Sequence, residues 1–310
     1  MSKGGAVPEP ENSHSGNPYS NSNMTGAALA LSFGFVQVCN DAVIKILVAE
    51  LGFYQVLAVR GLMVLPVIFL VLWWRRELFM PLSASDRKIL RWRVLCEVSI
   101  AFFMLKALAS LPLAYVIITL QTVPLGLTLA AALVFREAVG WRRWLAIIAG
   151  FFGVLLIVKP GTDGFVPEMM FVIIAAIIFI IRDMITRKLS ANVPAFYTAY
   201  LQVIGVTLFN SVMIFFDEWV PLEAVHYGMF ALAGVLFMGM TMAAILMMRF
   251  GDISFVAQFR YSGILWAILI GVALFGEIPD GYALIGAAII MGAGLYALYR
   301  ERQIKAHKAG

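Results

Sequence analysis

Long hydrophobic runs, each closed by a short polar stretch, follow one another from residue 25 to residue 299. An α-helix rises about 1.5 Å per residue and a bilayer's hydrocarbon core is about 30 Å thick, so roughly 20 apolar residues cross it. By that measure the chain predicts ten helical spans, near 25–48, 52–74, 92–111, 113–135, 141–158, 168–188, 195–216, 227–248, 253–275 and 281–299. Residues 1–24, dominated by Ser, Asn, Gly, Pro and Glu, have no apolar face and are expected to form a disordered cytoplasmic tail. A basic tail at 301–310 closes the chain. No basic segment with a short apolar stretch and cleavage site opens it, so no cleaved signal peptide is expected.

Two stretches repeat one pattern. In 112–161 a hydrophobic run ends in Phe135-Arg136-Glu137 and Trp141 opens a second run; 140 positions later, in 252–301, a run ends in Phe275-Gly276-Glu277 and Gly281 opens another. Upstream, Asp41 and Lys45 late in the first span are matched by Asp183 and Arg187 late in the sixth, 142 positions on. The chain therefore reads as a tandem duplication, 25–161 and 168–300. Five spans per copy is an odd number, so the copies enter the membrane in opposite senses. In transporters such inverted repeats place the substrate site near the midplane between the halves, and the two copies exchange inward and outward conformations.

The composition is 62% hydrophobic and 13% charged with a mean hydropathy of +0.91, far from the roughly 25% charged of soluble domains. This is an all-α integral membrane protein with nothing of domain size outside the lipid. Of its 23 Lys and Arg residues, 17 fall in alternate loops and tails and Lys159 alone in the other loops. Cations are retained on the cytoplasmic side, which predicts cytoplasmic termini in an inner (plasma) membrane. The net charge of +5 is thereby explained by a face beside anionic lipid, with no nucleic acid as partner. Cys39 and Cys96 both fall within spans and are expected to be small packing residues rather than a disulfide.

Five cations, Lys45, Arg60, Lys106, Arg182 and Arg260, and three acids, Asp41, Glu97 and Asp183, remain inside the spans. A charge at the bilayer centre costs about 2.5–3.5 kcal/mol on insertion scales, so these groups must face protein or water. By depth Asp41, Lys45, Arg60 and Lys106 lie toward the external side, and Glu97, Arg182, Asp183 and Arg260 toward the cytoplasm. Asp41 with Lys45 and Asp183 with Arg187 have the i, i+4 spacing of an intrahelical pair. The two sets are expected to act as gating networks; static pairs that fix helix register, or cations snorkelling to the interface, are the alternative. The excess of cations mildly favours a substrate bearing an anionic group such as a carboxylate.

The fourth span contains Pro124, which deprives the Leu120 carbonyl of its helical partner. Broken helices at membrane depth are tolerated where the freed group faces protein or a water-lined cavity. Tyr115, Thr119, Gln121, Thr122 and Pro124 are thus candidate pathway residues, matched in the ninth span by Gln258, Tyr261, Ser262 and Trp266. The aromatics among them suit stacking on a planar substrate, or interhelical packing. Gln37, Asn40 and Gln202, uncharged amides at membrane depth, face either substrate or a neighbouring helix. Gly150, Gly153, Gly286, Gly292 and Gly294 make the fifth and tenth spans a packing or homodimer face.

An enzyme is disfavoured. The three histidines, His14, His226 and His307, lie outside the spans, neither a His-Glu-x-x-His zinc motif nor a phosphate-binding loop is present, and Asp41 and Asp183 are expected at opposite depths. No metal or cofactor is called for. A non-transporting scaffold or lipid scramblase is the competing class.

The stretch Ala107-Leu-Ala-Ser-Leu-Pro-Leu-Ala-Tyr115, then Pro124, Phe135-Arg-Glu137, Trp141 and Gly150-Phe-Phe-Gly153, with 261–266, Phe275-Gly-Glu277 and Gly294-Leu-Tyr296 in the second half, resembles the EamA-type permeases of the drug/metabolite transporter superfamily. The likeness covers the chain after its tail. It departs at Ile264, where the family pattern carries a second proline, so the ninth span is expected to bend through Gly263. The resemblance implies a ten-helix inner-membrane carrier driven by an ion gradient, usually protons, or by the substrate gradient. It implies a small polar metabolite as cargo, with riboflavin-like vitamins, S-adenosylmethionine and amino acids as candidates, and export of drugs or amino-acid-type metabolites as the alternative.

Overall fold

A computed structural model describes residues 18–134, 140–160, 166–190, 192–216, 218–247 and 258–309. Among them every regular element is helical: α1 (Pro18–Glu50), α2 (Phe53–Trp74), α3 (Ala84–Ser110), α4 (Leu113–Leu120), α5 (Val123–Val134), α6 (Trp141–Val158), α7 (Met169–Thr186), α8 (Ala195–Met213), α9 (Ala224–Met247), α10 (Ser262–Phe275) and α11 (Gly281–Ala309). A single 3₁₀ turn, Ile214–Phe216, extends α8. Two expected tails prove partly helical. Pro18 opens α1 seven residues before the expected start, a position where proline's fixed φ and missing N–H cost nothing. At the other terminus the good helix formers Arg, Gln, Lys and Ala carry α11 on to Ala309.

Eight helices among the described residues are long and apolar enough to cross a membrane. α3 is long enough but carries Arg93, Glu97 and Lys106 along its membrane portion. The ninth expected span is described only from Gln258, and its apolar helix begins at Ser262. The side-chain distribution also suits lipid. On α6 the small or slender Ala146, Ile147, Gly150, Gly153 and Ile157 are buried, while Leu145, Ile148, Phe151, Phe152 and Leu155 are exposed. Large apolar groups outside and small ones inside follow when the surroundings are hydrocarbon and helices associate by close packing.

The main packing pairs each join an early helix to a late one: α1 with α9, α2 with α8, α3 with α7, α4 with α10, and α6 with α11. Exchanging the two halves of the chain turns α1·α9 into α7·α3 and leaves the other pairs unchanged. The described helix ends gather at two faces. The basic end carries Arg75, Arg76 and Arg87; the opposite end carries Glu50, Leu111 and Glu277.

α6 and α11 approach backbone to backbone. A Cβ added at Gly286 would lie 2.7 Å from the Gly153 carbonyl oxygen, and one at Gly153 would lie 2.8 Å from Ile290 Cγ1. Gly150 is filled by Leu125 of α5. These glycines therefore serve packing within the chain, whereas Gly292 has open space beside it.

Gly286→Val is expected to destabilise the protein by about 1–3 kcal/mol, the usual penalty of forcing volume into a filled interface. Gly292→Ala should leave stability unchanged or slightly raised. Thermal unfolding of the purified variants in one detergent checks the contrast.

Candidate functional site

Pro124 breaks the fourth span as its chemistry requires. α4 ends at Leu120, α5 starts at Val123, and Gln121 and Thr122 form the turn between them. The local hydroxyls are used within the break, since Thr122 Oγ1 donates to the Thr119 carbonyl at 2.6 Å and Thr119 Oγ1 to the Tyr115 carbonyl at 2.8 Å. Gln121 instead reaches across the molecule. Its Nε2 donates to the Arg260 carbonyl at 2.8 Å, at the turn that precedes α10. The break in the fourth span thus faces the turn before α10, where the Arg260 carbonyl also accepts the Gly263 N–H at 3.2 Å.

Beside this junction α1 and α10 run in close contact. The space at Gly34 is closed by Ser262 Oγ and the Gly263 backbone, and Phe35 meets the edge of Trp266 with ring centroids 5.1 Å apart. Ser262 Oγ, Trp266 Nε1 and Asn40 Oδ1 are all buried without a hydrogen-bond partner. Gln37, Gln202 and Gln258 are half-buried. Tyr261 turns the other way: its hydroxyl lies against Gly294 of α11, in a small cavity that Pro124 and Arg143 also line.

The charged groups form two networks, though not by the expected pairs. Lys45 does not pair with Asp41. Its Nζ donates to Glu277 Oε1 and to the Leu111 carbonyl, both at 2.5 Å, and lies over the Phe275 ring. Glu277 Oε2 accepts the Leu113 N–H at 2.7 Å, capping the positive N-terminus of α4. Further bonds tie early to late elements at the same end. Gln55 exchanges two hydrogen bonds with the Val220 backbone at 2.7 and 3.0 Å, and His226 Nε2 meets Glu50 Oε2 at 3.0 Å. Lys159 pairs with Asp280, which raises the Lys159 ammonium above its usual range, and Tyr115 lies beside the same carboxyl.

At the basic end Asp183 is held by Arg182, through Nε at 2.9 Å and Nη2 at 2.6 Å, rather than by Arg187, which caps α7 and is exposed. Arg182 Nη1 reaches Glu97 at 3.1 Å, and Arg93 approaches the same carboxylate at 3.2 Å while donating to Thr186 Oγ1 at 2.6 Å. Arg260 sits over Phe33, within the field of Asp183 and Arg182, and yet is exposed. The remaining external set divides further: Arg60 lies over Phe237 at 4.8 Å and Lys106 over Phe53 at 4.6 Å.

Glu277, Arg93, Gln55 and the His226–Glu50 pair escape sequence reasoning. Only Glu277 carries a sequence signal, the Phe-x-Glu ending shared by the two halves; its counterpart Glu137 lies outside the described residues.

Residues 24–159 match the model of the EamA-like transporter family. The chain is similar to the S-adenosylmethionine uptake transporter of Rickettsia prowazekii, 28% identical over 60% of this chain and 63% of that one. It is also similar to the riboflavin transporter of Rhizobium johnstonii, 29% identical over 70% and 74%, and to that of Vibrio cholerae, 31% identical over 56% and 58%. The chain thus spans just under two thirds of the length of the Rickettsia relative it matches. A crystal structure of a protein 18% identical shares the fold, with a TM-score of 0.63 over 92% of this chain and 99% of that one. Over residues 24–159, and in these relatives, the chain is thus similar to the EamA-type transporters of the drug/metabolite transporter superfamily.

Proposed function

We propose that this protein is a secondary transporter of a small polar organic metabolite, working by alternating access between two inverted five-helix repeats. The ten spans take in α3 and a ninth span over 253–275. The protein lies in an inner membrane with both termini in the cytoplasm, so the basic end faces inward. A proton or substrate gradient drives it.

The observation that carries this reading is the crossed pairing of early and late helices around the break at Gln121 and Thr122, with polar contacts between the halves at each end of the seam. Four contacts join the halves at the opposite end: Lys45–Glu277, Leu113–Glu277, Gln55–Val220 and Glu50–His226. Toward the basic end Arg260 is accessible. Three further contacts join the halves at the basic end, Glu97–Arg182, Arg93–Thr186 and Asp86–Ser190, so Asp41, Asp183, Glu97 and their cations are placed to be rearranged as the halves rock. The relatives' cargoes, S-adenosylmethionine and riboflavin, are the first compounds to test.

Glu277→Gln or Lys45→Met should loosen the end opposite the basic one. With Cys39 and Cys96 replaced by Ser, a Leu111→Cys reporter should react severalfold faster with a membrane-impermeant maleimide from the external face in either variant than without it. An unchanged rate in both would remove the gate from this end. Arg260→Cys, in contrast, should be labelled from the cytoplasmic face and shielded by a transported solute during counterflow in proteoliposomes; labelling confined to the external face would reverse the assigned orientation.

A further inference from the structure

We infer that the small cavity lined by Tyr261 and Arg143 is a binding site for the phosphodiester head of an anionic phospholipid, drawn from the leaflet at the basic end of the bundle. Arg143 takes a phosphate oxygen, and the Tyr261 hydroxyl donates to a second oxygen of the same head or of the glycerol ester beneath it. The inference goes beyond the transport reading and does not depend on it.

Four helices wall the cavity. Pro124, Leu125 and Thr128 come from α5, Arg143 from α6, Tyr261 from the residue that opens α10, and Gly294, Ala297 and Leu298 from α11. The bare backbone at Gly294 admits the phenol, since a Cβ there would lie 1.8 Å from the Tyr261 hydroxyl oxygen. Tyr261 is only 4% exposed, and its hydroxyl has no hydrogen-bond partner among the described residues. Leaving such a group unmet costs about 1–3 kcal/mol, and an occupant that brings an acceptor removes the cost.

The lining sets the sign of that occupant. No carboxylate is among the residues around the cavity, and the Thr128 hydroxyl already donates to the Pro124 carbonyl at 3.1 Å. Arg143 has no ion pair among the described residues. Two donors, one of them charged, thus line one space that offers neither a free carboxylate nor a free amide. A cation is repelled there, and a neutral solute leaves the guanidinium without a counter-charge. An anion with several oxygens meets both donors at once, and the planar fork of a guanidinium matches phosphate in particular.

Depth selects the source of the phosphate. Arg143 stands between the exposed Trp141 and Trp144 at the start of α6, and Tyr296 and Tyr299 are exposed on α11; such aromatics mark the level of lipid headgroups. Gly294 lies six positions before Arg300, about 9 Å deeper by helical rise, which is where the glycerol esters of a lipid begin. Arg143, Thr128, Ala297 and Leu298 are part-exposed, so the cavity is open at its rim. It needs to admit only the oxygens of a head or an ester, while the acyl chains rest on the exposed Leu145 and Ile148 of α6. Pro124 forms one wall and Tyr261 follows Arg260, whose carbonyl holds Gln121, so a bound head braces α5 against α10 and α11 directly behind the proline break.

The test uses the full chain in a nonionic detergent, titrated with phosphatidylglycerol, with phosphatidylcholine as the lipid of no net charge and inorganic phosphate as the soluble anion. Native mass spectrometry counts the lipid retained, and thermal unfolding follows the same titration. One phosphatidylglycerol should be retained in preference to phosphatidylcholine. Arg143→Gln should weaken its binding by about ten- to a hundredfold, the usual worth of a charge-assisted hydrogen bond, and Tyr261→Phe by about two- to tenfold, that of a neutral one. Arg142→Gln, which removes the exposed neighbouring cation over Trp141, should leave the affinity unchanged. Tyr261→Phe keeps the ring and loses only a hydroxyl with no partner in the chain. Without lipid it should therefore unfold no earlier than the unsubstituted protein, and it should lack most of the rise in unfolding temperature that phosphatidylglycerol gives. Equal retention of the two lipids overturns the site, as does a phosphatidylglycerol affinity that neither Arg143→Gln nor Tyr261→Phe changes. Inorganic phosphate that displaces the lipid and reproduces the stabilisation would assign the cavity to a soluble anion and overturn the lipid as its occupant. Each of these outcomes leaves the transport reading where it was.

Discussion

A charge at membrane depth has no water to turn to, so its partner must be another part of the protein. The cheapest partner in chain terms is four residues away on the same helix, and Asp41–Lys45 and Asp183–Arg187 offer that spacing. The folded chain declines both. Lys45 goes to Glu277, 232 positions along the chain, and Arg182 to Glu97, 85 positions back. An intrahelical pair neutralises charge and constrains nothing else. A pair between halves neutralises charge and also fixes how the halves stand. Burial adds to the effect, because an ion pair at the surface is worth about 0–1 kcal/mol whereas removing one member of a buried pair costs about 3–5 kcal/mol. Lys45 and Glu277, at 14% and 20% exposure, fall between those limits.

The contacts between halves are of two physical kinds. Along α6 and α11 the backbones meet through Gly153 and Gly286 with no side chain between them. Such a joint cannot slide without a backbone clash, and it suits a fixed axis. Along the central seam the contacts are ion pairs, single amide bonds and polar atoms with no partner at all. Those can be exchanged for water or ligand at small net cost, since each lost bond is replaced by another. Rigidity and polarity are therefore separated within one bundle, with the glycine joint at the periphery and the charges where the halves would part.

Much of this was legible before folding. Lipid-crossing helices follow from hydropathy, the break at Gln121 and Thr122 from Pro124, and the need of the buried charges for partners from the cost of burying them. What stayed hidden is long-range pairing. Glu277 sits among residues that hydropathy assigns to a loop, and its Lys45 partner already had a plausible local acid, so a local rule pointed to a pair that tertiary structure overrode. Gln55 and His226 carry no pattern of their own; each matters only because a backbone carbonyl or a carboxylate from the other half lies opposite. Tyr261 was legible as a residue of the second break, but the way it points was not, because the hydroxyl's position depends on the notch that Gly294 leaves in α11.

The proline break gains its meaning from what holds the short helix before it. α4 belongs to the early half of the chain, yet both its ends are fastened to the late half: the Leu113 N–H to Glu277, and Gln121, just past its last turn, to the Arg260 carbonyl. α5, across the break, packs instead against α7 and α6, with Gly126 closed by Ile180 and Leu125 filling the space at Gly150. A continuous helix would have to follow one set of partners or the other. With the Leu120 carbonyl released by Pro124, bending at Gln121 and Thr122 strains no helical hydrogen bond. α4 can then travel with α10 while α5 stays with α6. Glu277, bonded to both Lys45 and the Leu113 N–H, is thereby joined to the turn at Gln121 through the eight residues of α4.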